Sequence, residues 1–138
     1  MSRLERHHER GASTVELAVL TPVFMMTVLL AVQFTFYYHG RQVALAASQA
    51  GAREARTLAG QRPAAWQTPA TAKAHSYLDM LGPDFLADPS ITPIARQDDQ
   101  VGIEVRGYAV TVIPSFQLAI RTRSVGPIER FIPDAPGR

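Results

Sequence analysis

The residues able to do chemistry are few. Cysteine is absent, which excludes disulfides, thiolate metal sites and cysteine nucleophiles. His7 and His8 lie in a short charged N-terminal stretch, His39 at the end of an apolar run, and His75 alone in a short helical pattern. No H-E-x-x-H, phosphate loop or nucleophile elbow is present. Asp98-Asp99 has no further ligands near it in sequence and reads as a solvated turn. Arg121 and Arg123 fall on one face of a strand pattern, where charge keeps an edge soluble. One placement does carry a physical cost. Glu16 stands directly before residues 17–38, LAVLTPVFMMTVLLAVQFTFYY, a run of 22 residues without a formal charge. An acid at the threshold of such a run is expensive unless something uses it. The inventory points away from an enzyme, and no cofactor or metal is expected.

The apolar run must position Glu16. As a helix it is roughly 33 Å long, enough to cross a hydrocarbon core of about 30 Å. Thr21, Thr27, Gln33 and Thr35 are polar but uncharged, and such side chains bond within or between helices. Tyr37 and Tyr38 suit an aromatic interface belt. The alternative is a buried core helix in a soluble protein. The run is too long for a cleaved secretory signal, and no small-x-small site follows it. Pro22 removes a helical hydrogen bond to the Ala18 carbonyl. A kink is expected there, with Thr21 near enough to help satisfy that carbonyl.

Glu16 also has a purely structural reading. Ser13-Thr14-Val15-Glu16 fits a capping box, in which Ser13 and Glu16 bond each other's amides. A carboxylate in the first turn suits the helix dipole. That reading and a functional one are compatible.

The chain has 138 residues, one domain's worth with the apolar run taking a share. Net charge is +2 and Lys73 is the single lysine, unlike the basic stripe of a nucleic-acid binder. Removing residues 1–11 takes away three arginines and two glutamates and leaves +1. Arginines flank the run on both sides, so charge alone does not orient it.

Beyond the run, residues 39–59 are rich in helix formers. Gly40, Ala44, Ala47, Gly51 and Ala55 fall at three- and four-residue steps, a small-residue stripe that permits close helix approach. Either the helix continues outward as a protruding rod, or it lies on its own domain's sheet. Residues 60–69 break the pattern, with Trp66 docking on the domain. Residues 71–81 predict a short helix with Ala74, Tyr77, Leu78 and Leu81 on one side. Residues 83–100 read as loop. Residues 101–113 alternate as a strand, with Gly107 marking a bulge or turn, and residues 118–125 form a second strand. The tail carries Phe131 and Ile132. The expected fold class is α+β, a long N-terminal helix followed by a small antiparallel β-sheet domain.

The N-terminal order is Arg10-Gly11-Ala12, then Glu16 four residues after Ala12, the uncharged run with its early Thr21-Pro22, and the Tyr37-Tyr38 exit. Arg41-Gln42-Val43 and the Gly-Ala-Arg-Glu-Ala of residues 51–55 follow. Over roughly residues 10–58 this resembles the TadE-like proteins, minor pilins or pseudopilins of the tight-adherence (Flp) pilus machinery, a type IV-like system. The resemblance implies a pilin-like layout, with a leader at 1–11, a transmembrane helix at 12–38, an extramembrane continuation at 39–59 and an extracytoplasmic domain at 60–138. It implies cleavage between Gly11 and Ala12 by a prepilin peptidase. Glu16 then becomes the fifth residue of the mature chain and serves processing and assembly. The implied partners are the peptidase, other pilin subunits, the assembly platform and the cytoplasmic membrane. The N-terminus would be cytoplasmic, and no nucleic acid is involved. An uncleaved single-pass membrane protein whose outer domain binds another envelope complex is the competing reading.

Overall fold

A computed structural model describes residues 5–96 and 98–129, with side chains from Thr14 onward except at Arg96. Phe131 and Ile132 lie outside the described residues. Five elements follow in order: α1 (Glu5–Gln61), α2 (Gln67–Leu81), β1 (Leu86–Arg96), β2 (Gln100–Ala109) and β3 (Ala119–Pro127). The fold is α+β, a long apolar N-terminal helix with a short second helix and a three-stranded antiparallel sheet in the order β1-β2-β3.

α1 has two halves with opposite surroundings. Every residue from Thr14 to Val32 is exposed, so this stretch is not a core helix of its own domain. From Gly40 onward one face is buried. Val43, Ala44, Ala47, Ala55 and Ala59 form the core with Trp66, Ala70, Ala74 and Leu78 around α2, and with Val101, Ile103, Val105 and Ile120 from the sheet. All five residues of the small-residue stripe are buried. They face their own sheet and α2, so this part of the helix lies on its own domain. Apolar burial is the main favourable term in such a core. Here it is gained by bringing backbones close rather than by large side chains. A Cβ at Gly51 would come within 2.9 Å of the Ala70 carbonyl oxygen and of Ile103 Cγ1, so only glycine permits this approach.

α2 starts at Gln67, four residues earlier than the pattern predicts, because Pro69 falls in its first turn, where a missing N–H costs nothing. Ala70, Ala74 and Leu78 are its buried residues and Tyr77 packs partly against them. Leu81, expected on that face, is 44% exposed, since Gly82 ends the helix with its N–H on the Leu78 carbonyl.

Residues 86–96, expected as loop, form β1. Its prolines are compatible with a strand because β1 is at the sheet edge, where an outward position needs no N–H. The register shifts between Ala87 and Ser90, with Asp88 at φ 49°. This bulge lies opposite Gly107, where a Cβ would come within 2.8 Å of Leu86. Gly107 therefore stays within β2 and accommodates the bulge of its neighbour. β2 ends at Ala109 rather than near Ile113, and β3 extends to Pro127. Val101, Ile103 and Val105 face the helices as their alternation predicts.

Candidate functional site

Helix α1 runs unbroken through Gly11 and Ala12 to Glu16. The capping-box reading of Ser13 and Glu16 requires a helix start at Ser13. In the intact chain the helix begins two turns earlier, so the first-turn amides are elsewhere. Glu16 is exposed at the base of the uncharged surface. Val19, Leu20, Val23, Phe24 and Met25 are each more than half exposed above it.

Pro22 sits inside α1. Thr21 was expected to help the Ala18 carbonyl, but its hydroxyl donates to the carbonyl of Leu17, 2.6 Å away. The reason is geometric, since a helical threonine reaches the carbonyl four residues back. Thr27 and Thr35 bond Val23 and Ala31 in the same way, both at 2.9 Å. The three hydroxyls are thus satisfied inside the helix, as an apolar surrounding demands.

Gln33 behaves differently. It is fully buried within the uncharged run. Its Nε2 donates to the Val110 carbonyl at 3.2 Å, and its Oε1 accepts from the Val112 N–H at 2.9 Å. The amide thus bonds the backbone on both sides of Thr111, just past the end of β2 at Ala109. Above it, Phe85 packs on Phe36 at 6.2 Å between ring centroids and on His39 at 4.3 Å, edge to face. His39 therefore has a packing role, and His75 is exposed on α2. The upper end of the run is held by the domain through Gln33, Phe36 and His39. Gln33→Leu should leave the Val112 amide without its partner, at a cost of about 1–3 kcal/mol. The expected outcome is exchange of that amide with deuterated solvent about tenfold or more faster, read by NMR or mass spectrometry. Unchanged exchange would disprove the pin.

On the far face of the sheet, Glu104 is buried although it sits on the side away from the helices. Arg121 donates to Oε2 from Nε at 3.0 Å and from Nη2 at 2.8 Å, and Arg106 donates to Oε1. Burial pushes the Glu104 carboxyl up, but hydrogen bonds from Arg121 and Arg106, with their charges, more than offset this and hold it below its ordinary value. A carboxyl with a lowered folded value adds stability that is complete above its unfolded value. That stability is lost as pH falls through the folded value. Both arginine side chains are more than half exposed, so screening keeps the contribution small. Glu104→Gln is expected to lower stability by about 1 kcal/mol at pH 7. The gap should close as urea midpoints are followed down below about pH 4. A gap that persists at low pH would mean that shape, not charge, matters at this position.

Among the described residues, no cluster of three or more His, Asp or Glu is placed to hold a metal. Asp98 and Asp99 occupy the β1–β2 turn, with Asp99 at φ 52°. Arg123 is exposed on the edge strand β3. The residues brought together are those of the helix and its socket. The partners of Gln33, the burial of Glu104 and the role of the 110–118 loop emerge only from the fold.

Residues 11–53 match the family model described as TadE-like protein, the family that the N-terminal residues resemble. The matched region begins at Gly11 and includes Glu16, the whole uncharged run and the small-residue stripe as far as Gly51. No curated protein and no solved structure matches the chain.

Proposed function

We propose that the chain is a minor pilin or pseudopilin that takes part in assembling a tight-adherence (Flp) pilus. The observation that carries this is the exposed, uncharged helical surface from Leu17 to Val32, set directly above Gly11, Ala12 and Glu16 in the region matching TadE-like protein. Such a surface is stable only in lipid or against other apolar helices, and a pilin uses both in turn. In this reading residues 1–11 are a cytoplasmic leader and Gly11–Ala12 is the bond cut by a prepilin peptidase. Residues 12–38 hold the anchor, residues 39–59 carry the helix outward, and residues 60–138 complete the extracytoplasmic domain. The buried Gln33 supports a lipid-facing anchor that is shorter than 12–38 at its outer end. Pro22 weakens the helix where bending helps subunits pack. The protein itself performs no catalysis.

The continuous helix across Gly11–Ala12 favours a second reading, an uncleaved single-pass membrane protein whose outer domain binds another envelope component. A peptidase needs extended backbone at the bond it cuts, so α1 would have to unwind there. Gly11 lowers that cost by about 1 kcal/mol relative to alanine. After a cut, Ser13 would lie in the new first turn, where its capping geometry becomes available again.

Intact-mass measurement of the membrane-extracted protein separates the two. The expected mature chain begins at Ala12. A chain retaining residues 1–11 in peptidase-positive cells would rule out the pilin reading. Recovery in sheared fibres, or co-purification with the assembly platform, then fixes the stage at which it acts.

A further inference from the structure

We infer that the loop between β2 and β3 is a second membrane contact, one that inserts into the outer lipid boundary beside α1. The inference rests on the membrane-spanning reading of α1. Residues 110–118, Val-Thr-Val-Ile-Pro-Ser-Phe-Gln-Leu, contain no charge. Val112 is 41% exposed and Phe116 38% exposed.

Depth selects lipid as the occupant. A hydrocarbon core about 30 Å thick that opens after Glu16 closes some 20 residues later, near Phe36, at 1.5 Å per residue. Gln33 is about 5 Å short of that level. Any tilt of the helix brings it deeper. The loop hangs from Gln33 by both hydrogen bonds of its amide, so it shares that depth.

Part of the loop's hydrogen bonding is internal. The Phe116 N–H donates to the Ile113 carbonyl at 3.2 Å, and the Ala109 N–H donates to the Leu118 carbonyl at 2.9 Å. The Thr111 hydroxyl lies 2.7 Å from the Ile113 carbonyl and 3.1 Å from that of Phe116. These bonds lower the cost of bringing the loop to the acyl boundary, where water is scarce. Anchoring at two points would restrain rotation of the domain about the helix axis, giving its outer face a fixed bearing on the membrane.

The absence of cysteine makes the test direct. Single variants Val112→Cys and Phe116→Cys are labelled with bimane in the full chain. Phe24→Cys reports on the span and Ser76→Cys on water. The proteins are reconstituted at high dilution in phosphatidylcholine–phosphatidylglycerol vesicles. Nitroxide on the lipid chains and aqueous iodide serve as opposing quenchers. At 112 and 116 the expected result is strong quenching by shallow lipid nitroxide, with iodide quenching about fivefold weaker than at Ser76, since a hydrated anion is excluded from the acyl boundary. If Phe24 faces lipid while 112 and 116 are as open to iodide as Ser76, the loop inference fails and the span stands. If 112 and 116 are shielded from both quenchers, protein covers them and the inference also fails. If Phe24 itself is open to iodide, both readings fall.

Discussion

Gly51→Leu should destabilise the packed domain by about 3 kcal/mol while leaving most of α1 helical. A Cβ at this position meets the Ala70 carbonyl oxygen, Ile103 Cγ1 and Ala74 Cβ at 2.9–3.0 Å. Two of these contacts belong to the backbone and Cβ of α2, which cannot swing aside as a long side chain can. Overpacking a close-packed core costs about 1–3 kcal/mol, occasionally more. Three further carbons against a fixed helix put leucine at the upper end of that range. A domain of this size has a total stability of only about 5–15 kcal/mol, and this one packs largely on alanines. Near-ultraviolet circular dichroism in detergent provides the readout, because Trp66 is only 3% exposed and its signal depends on the contact between the α1–α2 corner and the core. The expected result is loss of the Trp66 signal at a clearly lower urea concentration than in the wild type, with the helical far-ultraviolet signal largely kept through that transition. Gly51→Ala should show a smaller effect in the same direction. A wild-type urea midpoint for Gly51→Leu would mean that α2 and α1 do not approach as described.

The same position shows what the sequence can and cannot reveal. A stripe from Gly40 to Ala55 announces a close contact, but the spacing is equally suited to a neighbouring subunit and to the chain's own sheet. Only the placement of Ala70, Ala74 and Ile103 decides between them. β2 was legible because Val101, Ile103 and Val105 alternate. β1 was not, since Pro89 and Pro93 argue against a strand unless it is known to be an edge, and edge position is a property of the sheet. Glu104 occupies a register position facing away from the helices, and one of the two arginines bonded to it, Arg121, comes from another strand. Gln33 did leave a trace as the one amide in an uncharged run. Its partners are backbone groups of residues 110 and 112, which no side-chain pattern discloses. Likewise, the cap at Ser13 is a correct local reading of four residues, superseded because the helix had already begun at Glu5.

Glu16→Ala should be processed yet fail to assemble. Cleavage at Gly11–Ala12 would create a charged α-amino group four residues before Glu16, at the foot of the exposed helix. In the proposed fibre, packing of neighbouring helices would take both groups out of water. A buried amine and carboxylate are tolerable as a pair, but removing one partner typically costs about 3–5 kcal/mol. Every 1.4 kcal/mol is about tenfold in an association constant, so the variant should enter fibres at least about a hundredfold less readily. Alanine is the best helix former, so a loss would not come from a weakened helix. The measurement pairs intact mass, which reports the cut, with the fraction of chain recovered in sheared fibres and cross-linked membrane assemblies. A chain cut at Ala12 and assembled to the wild-type level would end the proposed role of Glu16 in subunit register. A chain left uncut would instead assign Glu16 to recognition by the peptidase. In neither case would the exposed helix from Leu17 to Val32 lose its need for an apolar environment, so membrane insertion should persist in both.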